Sequence, residues 1–491
     1  MSHTFIKYKV YIGWIDISVY FRFCMGKEEV ASDGGSSVVQ YGIEDRPPLG
    51  EALPLGIQHV LAMFLGNVAP PLILAGAVGS VTGQTTFLVQ MALIVAGVGT
   101  IIQAFPIGPV GARLPIVMGT SFAFLGPLIG IGNQFGIAAV FGAALVAAPV
   151  EIGMAFSLDR FRSYFPPLVT GIVVMLIGLT LIPTGMNYAA GASAGPSVES
   201  YGSLLNLGLA GLVLVVTVAL NQFFSGFVRV ISVFAGIAVG YVAALAVGVV
   251  DFSAVASAGW FTVPIPLKYG LTFEPSAILT VAFLYIITGV ETIGDISGTV
   301  SAVGRDADEK EFRGGLMADG VMSIFGAIFN AMPNTSYSQN VGLVNFTGVA
   351  SRYVAGIGGV VLLALGFVPK VGAVVSAMPD AVLGGGALIL FAMIFSSGAR
   401  IINQNVTLNQ RNSTILALSM ALGLGVAFRP EVLQQFPTEV QTLFGSALVT
   451  GGIAALVLNI ILPGGSVGVG ETEYSPGLRP DDEAPDAVAD D

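Results

Sequence analysis

The chain has 491 residues, of which 54% are hydrophobic and only 10% charged, and its mean hydropathy is +0.85. That balance excludes the charged surface a soluble domain needs and points to a protein solvated largely by lipid. One cysteine, Cys24, and two histidines exclude a disulfide framework and a multi-ligand Cys or His metal centre. The formal charge of −11 sits mostly in the tail that holds Glu471, Glu473, Asp481, Asp482, Glu483, Asp486, Asp490 and Asp491, which reads as disordered and solvating.

Residues 1–50 read as a cytoplasmic tail. Its first part, 1–24, is aromatic-rich but interrupted by Lys7, Lys9, Asp16 and Arg22, too closely for a membrane span. It reads as an interfacial segment or, preferably, as an over-extension ahead of a start at Met25. From Leu53 onward, apolar runs recur at about the 20-residue length that crosses a bilayer. About fourteen are expected in all. The first seven cover 53–75, 86–105, 114–131, 136–158, 165–185, 203–222 and 228–250. The second seven cover 278–302, 314–331, 339–349, 353–369, 381–399, 412–428 and 442–462. They define two halves, 51–250 and 278–463, followed by the acidic tail 464–491. With the N-terminus inside, the inner loops collect Arg113, Arg160, Arg162, Arg229, Arg305, Lys310, Arg313, Arg352, Arg400 and Arg411. The outer loops hold only Lys268, Lys370 and Arg429. This bias predicts a multi-pass protein of the cell membrane with both termini cytoplasmic.

Several polar groups interrupt the apolar runs, and each demands a reason because charge inside a bilayer is costly. Gln58 and His59 lie early in the first span and read as hydrogen-bonding partners of neighbouring spans as readily as ligand contacts. In the third span Thr120-Ser121-Phe122-Ala123 is answered by Thr335-Ser336-Tyr337-Ser338 in the tenth. Both follow a proline, Pro115 or Pro333, and precede a glycine, Gly126 or Gly342. An odd number of spans per half makes the halves inverted, and broken spans at matching positions mark the substrate site of many secondary transporters. Backbone groups freed in such breaks suit a polar, planar solute. Glu151, late in the fourth span, reads as a structural pairing group. Glu291 and Asp295, at i and i+4, share one helix face, so a proton or cation is expected between them. Asp319 serves equally as a helix-start residue or a site residue. No phosphate-binding loop, zinc spacing, nucleophile triad or nucleic-acid-binding basic stripe is present. A transporter is therefore expected rather than an enzyme, with no cofactor and no bound metal.

The stretch Ser338-Gln-Asn-Val-Gly-Leu-Val-Asn-Phe-Thr-Gly348 resembles the signature of the nucleobase–ascorbate transporters, the xanthine/uracil permease family, at Gln339, Asn340, Gly342, Thr347 and Gly348. Gln58-His59, Glu291, Asp295, Asp319 and Thr120–Phe124 resemble further family motifs, in order, over roughly 50–465. The resemblance implies an all-α polytopic membrane protein of fourteen spans in two inverted sevens. It divides them into a core (spans 1–4 and 8–11) and a gate (spans 5–7 and 12–14), with short strands in spans 3 and 10. It also implies that Glu291 and Gln339 hydrogen-bond a planar base while Phe122 stacks near it. Gly66, Ser121, Ser338 and Asn340 would lie beside the base. Asp295, His59, Gln58, Asp319 and Thr347 would support binding or coupling. A carboxylate accepts two N–H groups, and an amide meets a lactam edge with both a donor and an acceptor. Gln339 resembles the xanthine and urate members, where uracil members carry Glu, whereas Val341 resembles some urate-type members. The expected function is import of xanthine or uric acid coupled to a cation, H+ rather than Na+. A uracil permease, or a channel or anion exchanger of the related fold, remains the alternative. A homodimer is implied by the resemblance alone.

Overall fold

The structure, a computed structural model, describes residues 6–12, 15–21, 39–79, 84–158, 165–192, 195–196 and 199–463. Met25, Arg160, Arg162 and the acidic tail from 464 lie outside the described residues. Strands β1 (Ile6–Ile12) and β2 (Ile15–Phe21) pair antiparallel from Ile6↔Phe21 to Ile12↔Ile15. The N-terminal stretch read as interfacial is thus a hairpin.

From residue 49 the chain is helical. The first half contains α1 (Leu49–Ala77), α2 (Thr85–Ala104), strand β3 (Met118–Thr120), α3 (Leu125–Phe135), α4 (Ile137–Ala147), α5 (Pro149–Ala155), α6 (Pro167–Ala189), α7 (Leu204–Phe223) and α8 (Ser232–Val247). The second contains α9 (Pro275–Ser301), α10 (Glu309–Ile328), strand β4 (Asn334–Ser336), α11 (Ser338–Thr347), α12 (Arg352–Gly366), α13 (Pro369–Ser376), α14 (Asp380–Asn405), α15 (Gln410–Phe428), α16 (Thr438–Phe444) and α17 (Ala447–Ile461).

Among the described residues, eight helices are long and apolar enough to cross a membrane, or ten if α12–α13 and α16–α17, bent by 82° and 77°, each count as one. The shortfall from fourteen has local causes. α10 opens on Glu309, Lys310, Glu311 and Arg313, and α11 carries Ser338, Gln339 and Asn340. α3 and α8 are short.

Contacts sort the helices into two sets. α1, α2, α4, α5, α9, α10 and α12 pack on one another, and α6, α7, α8, α14, α15 and α17 do likewise. Small residues allow the close crossings, as they do in other membrane bundles. A Cβ on Gly97 of α2 would fall 2.5 Å from Leu363 N of α12, and one on Gly171 of α6 would fall 2.9 Å from Gly398 O of α14. Only 22% of the apolar window of α7 and 17% of that of α15 is buried within the chain, so these two helices turn most of their apolar surface outward.

The segment before α1 is fastened to the end of α11. Gln40 N donates to Gly348 O (2.9 Å), Ala350 N to Tyr41 O (2.8 Å) and Arg352 N to Ile43 O (3.1 Å). Glu44 accepts from Arg113 Nε and Arg352 Nη2, both at 2.8 Å. These two guanidinium groups hold its carboxyl down at about 2.

Candidate functional site

The two sequence breaks meet. β3 and β4 pair antiparallel, Met118 with Ser336, Gly119 with Thr335 and Thr120 with Asn334. Ser121 N donates to Pro333 O (3.1 Å) and Tyr337 N to Val117 O (3.0 Å), which extends the ladder at both ends. Each strand runs directly into a half-length helix. Phe122–Phe124 forms a 3-10 turn into α3, capped by the Ser121 hydroxyl, which accepts from Ala123 N (3.2 Å). α11 follows β4 at Ser338. Strand pairing satisfies most of the broken backbone, while the two helix starts aim their N–H groups toward the junction.

Tyr337 clamps the junction. Its hydroxyl donates to Thr120 O (2.6 Å), and its ring lies where a Cβ on Gly66 or Gly119 would come within 2.6 or 2.8 Å of it. Asn67 Oδ1 accepts from both Thr120 N (2.9 Å) and Thr120 Oγ1 (3.1 Å). Pro70 and Pro71 follow within α1. Lacking N–H groups, they cannot donate to the carbonyls of Gly66 and Asn67, one turn earlier. Gly66 therefore offers an acceptor in mid-helix beside the strand pair.

α9 supplies the acids. Asp295 accepts from Ser336 Oγ and Ser338 Oγ, both at 2.6 Å. Asp319, from α10, accepts from Gln103 Nε2 (3.1 Å) and from Thr292 Oγ1. Thr292 Oγ1 also lies 3.3 Å from Thr335 Oγ1 and 3.2 Å from Ser336 Oγ. Helices α1, α3, α4, α5, α9 and α11 contain no Lys or Arg, so hydroxyls and amides, not cations, meet these carboxyls.

Glu291 differs from its neighbours. It lies one turn from Asp295 on the same face and is half-buried, as is Gln339. Among the described residues, no hydrogen bond reaches either side chain. Phe122 is half-buried too, its ring edge-on to Phe391 of α14 at 5.4 Å between centroids. A carboxyl and a primary amide with uncommitted polar ends, and an aromatic ring, thus stand on the elements that flank the strand pair.

The other expected residues take supporting places. Asn340, expected beside the base, is buried at 1% exposure. Its amide donates to His59 O (3.0 Å) and lies 3.0 Å from His59 Nδ1, so it fixes α11 to α1. His59 is 2% exposed and takes the structural role open to it in the sequence, while the adjacent Gln58 is half-buried. Ser338 spends its hydroxyl on Asp295 and Ser121 its own on the helix cap. Thr347, at the far end of α11, accepts from Val349 N (3.2 Å) and donates to Leu343 O (2.9 Å), away from the junction. Asp319 is not a helix-start residue, because Asp308 caps α10 together with Glu311. Sequence reasoning missed Tyr337, Asn67, Gln103 and Thr292. A polar amide inside an apolar run was the available signal for Asn67 and Gln103; Tyr337 stood out only as the counterpart of Phe122 in the second break.

Residues 50–432 match the family model Xan_ur_permease, described as a permease family. A putative purine permease of Clostridium perfringens is 39% identical over 422 residues, covering 86% of this chain and 92% of that protein. Xanthine permease XanP of Escherichia coli K12 is 38% identical over 450 residues (89% and 97%). Uric acid permease PucJ of Bacillus subtilis is 37% identical over 409 residues (83% and 91%). Among solved structures, the transmembrane domain of the cyanobacterial bicarbonate transporter BicA is similar at a TM-score of 0.56 and 15% identity, covering 85% of this chain and all of that one. Murine Slc26a9 in an inward-facing state is similar at 0.54 and 13% identity (85% and 68%). At those identities the likeness is one of fold.

Proposed function

The chain belongs to the xanthine/uracil permease family, and from that premise we propose that it imports a purine base, xanthine or uric acid, in symport with protons. It is an integral membrane transporter, not an enzyme. The observation that carries the substrate reading is the pair Glu291 and Gln339, an acid and an amide with no hydrogen-bond partner among the described residues. Glu291 accepts ring N–H groups of the base, and Gln339 pairs with its lactam edge. The Phe122 ring covers one face, and Gly66 O with the first N–H groups of α11 closes the edge. The names of the relatives XanP and PucJ support a purine, and Gln339 in place of Glu argues against uracil.

The paired breaks support the fourteen-span, inverted-repeat reading. α1–α5 and α9–α13 act as the core that carries the base, and α6–α8 with α14–α17 act as the gate. Phe122 against Phe391 lies on the sliding surface between them. Both termini face the cytoplasm of a cell-membrane protein, and the outward faces of α7 and α15 meet lipid or a second copy. Anion transport, the activity in the names of the fold relatives, finds little support here. An anion site wants a cation, and among the described residues β3, α3, β4 and α11 hold none.

Uptake of radiolabelled xanthine into proteoliposomes tests the proposal, with an imposed pH or sodium gradient and unlabelled urate, uracil and bicarbonate as competitors. Accumulation that follows the pH gradient and is blocked by urate is expected. Accumulation that follows sodium, or competition by uracil or bicarbonate alone, overturns it.

A further inference from the structure

Glu151 has no part in the site just described, yet its surroundings are unlike those of a structural acid. It is 0% exposed and sits on α5, just after the Pro149 kink that separates α5 from α4. Oε1 accepts from Thr288 Oγ1 at 3.2 Å, while Oε2 has no hydrogen-bond partner among the described residues. The titratable groups facing it are Asp319 from α10 and Glu291 and Tyr285 from α9, and α5 contributes no other. A carboxylate here would leave a bare oxygen and an unpaired negative charge turned toward two more acids. Burial of that kind is among the most costly arrangements in a protein. A proton on Oε2 removes the charge while leaving the Thr288 bond intact.

The placement also connects Glu151 to the substrate site. Thr288, Glu291, Thr292 and Asp295 recur at i, i+3, i+4 and i+7 along α9, so they form one polar edge of that helix. Thr288 at one end of the edge bonds Glu151, Thr292 in the middle bonds Asp319, and Asp295 at the other end bonds the serines around Gln339. A charge appearing anywhere on this edge is felt by the others across a medium with no counter-cation.

We propose that Glu151 is a positioning residue for coupling, a second proton-holding carboxyl behind Glu291, loaded and emptied with the substrate. This rests on the proton-coupled reading given above. The proton arrives from the outer solution, binds Oε2, and leaves to the cytoplasm ahead of the base. While it is bound, the acids around Glu291 face one negative charge fewer, and Glu291 can accept the N–H groups of the base as a carboxylate. When it leaves, repulsion along the edge favours release.

The test uses full-length protein in proteoliposomes. In Glu151→Gln, a neutral shape mimic, xanthine counterflow should stay within about twofold of the unsubstituted protein, while accumulation driven by a pH gradient drops on the order of tenfold. The pH dependence of counterflow should also flatten. Accumulation in Glu151→Gln that equals the unsubstituted protein and follows the gradient overturns the assignment. If the unsubstituted protein itself ignores the pH gradient, the proton-coupled reading fails instead, and the two failures are distinct. Should Glu151→Gln fold poorly, Thr288→Val keeps the question open to measurement. It removes the one donor to Glu151 while conserving shape, and it must displace the pH profile of counterflow. A profile superimposable on that of the unsubstituted protein overturns the proposal.

Discussion

The two broken spans start from nearly the same local sequence and end with different duties. The break at 118–124 gives backbone and a ring. Its Thr120 is tied down by Asn67, its Ser121 caps the next turn, and Phe122 alone reaches outward. The break at 334–340 gives side chains. Ser336 and Ser338 fasten Asp295, Asn340 fastens α1, and Gln339 is left over. Pairing as antiparallel strands makes each break the hydrogen-bonding partner of the other, so one can serve as scaffold while the other specialises. Symmetry of the backbone here carries no symmetry of chemistry.

The sharpest way to break that comparison is to remove the acid that neither break ties down. Glu291→Gln is expected to bring pH-gradient-driven purine uptake to background with membrane insertion retained; near-normal uptake would sink the substrate assignment. Next in size is the scaffold side. Gly119→Ala would place a methyl group within 2.7–2.9 Å of Met63 Cε, Tyr337 Cε2 and Asn67 Oδ1. That overpacking should cost about 1–3 kcal/mol, read as a lower thermal midpoint in detergent. Gly342→Ala in α11 meets nothing within 4 Å and should leave the midpoint unchanged or raised, since Ala favours a helix interior by about 1 kcal/mol. Equal effects at the two glycines would contradict the division into tight scaffold and open site.

Gln339→Glu should act on selectivity more than on stability. The amide that can both donate and accept becomes an acceptor, and competition should move from xanthine and urate toward uracil. An unchanged competitor ranking removes Gln339 from the recognition role.

The smallest effect lies at the C-terminal end of the second break, where Gly348 turns in the left-handed conformation (φ 66°) to meet the 40–46 segment. Glu44 is held near 2, below its ordinary 4.5. A depressed acid stabilises attachment above its unperturbed value and loses that contribution as pH falls toward 2. Its side chain is 52% exposed, so screening keeps the term small. Glu44→Gln should modestly speed hydrogen exchange at the 40–46 amides, with transport unaffected. Exchange that is identical with and without the charge would show that the backbone pairing alone holds the segment.

Most of the fold was legible because the bilayer imposes a length on every apolar run, and α1, α2, α6, α7, α9, α14 and α15 fall where those runs do. Boundaries drifted where the cause was tertiary. Span fourteen was read as one piece at 442–462, yet Phe444 to Ala447 turns a corner between α16 and α17. In the site, the i, i+4 spacing of Glu291 and Asp295 could be read directly. Their opposite fates could not. Which acid is sealed depends on Ser336 and Ser338, some forty residues later in the chain and brought near only by strand pairing. The clamping role of Tyr337 could not be read for a related reason. Its importance lies in two glycines, Gly66 and Gly119, that have no side chains to announce a contact.

The strand pair at the centre is only three residues a side, and a sheet has a period of two. A single residue inserted ahead of Ser336 would therefore turn its hydroxyl to the opposite face and withdraw it from Asp295 and Thr292. The spacing between Pro333 and Gln339 acts as a reading frame for the site. Point changes within it edit single letters, whereas an insertion or deletion garbles every contact downstream.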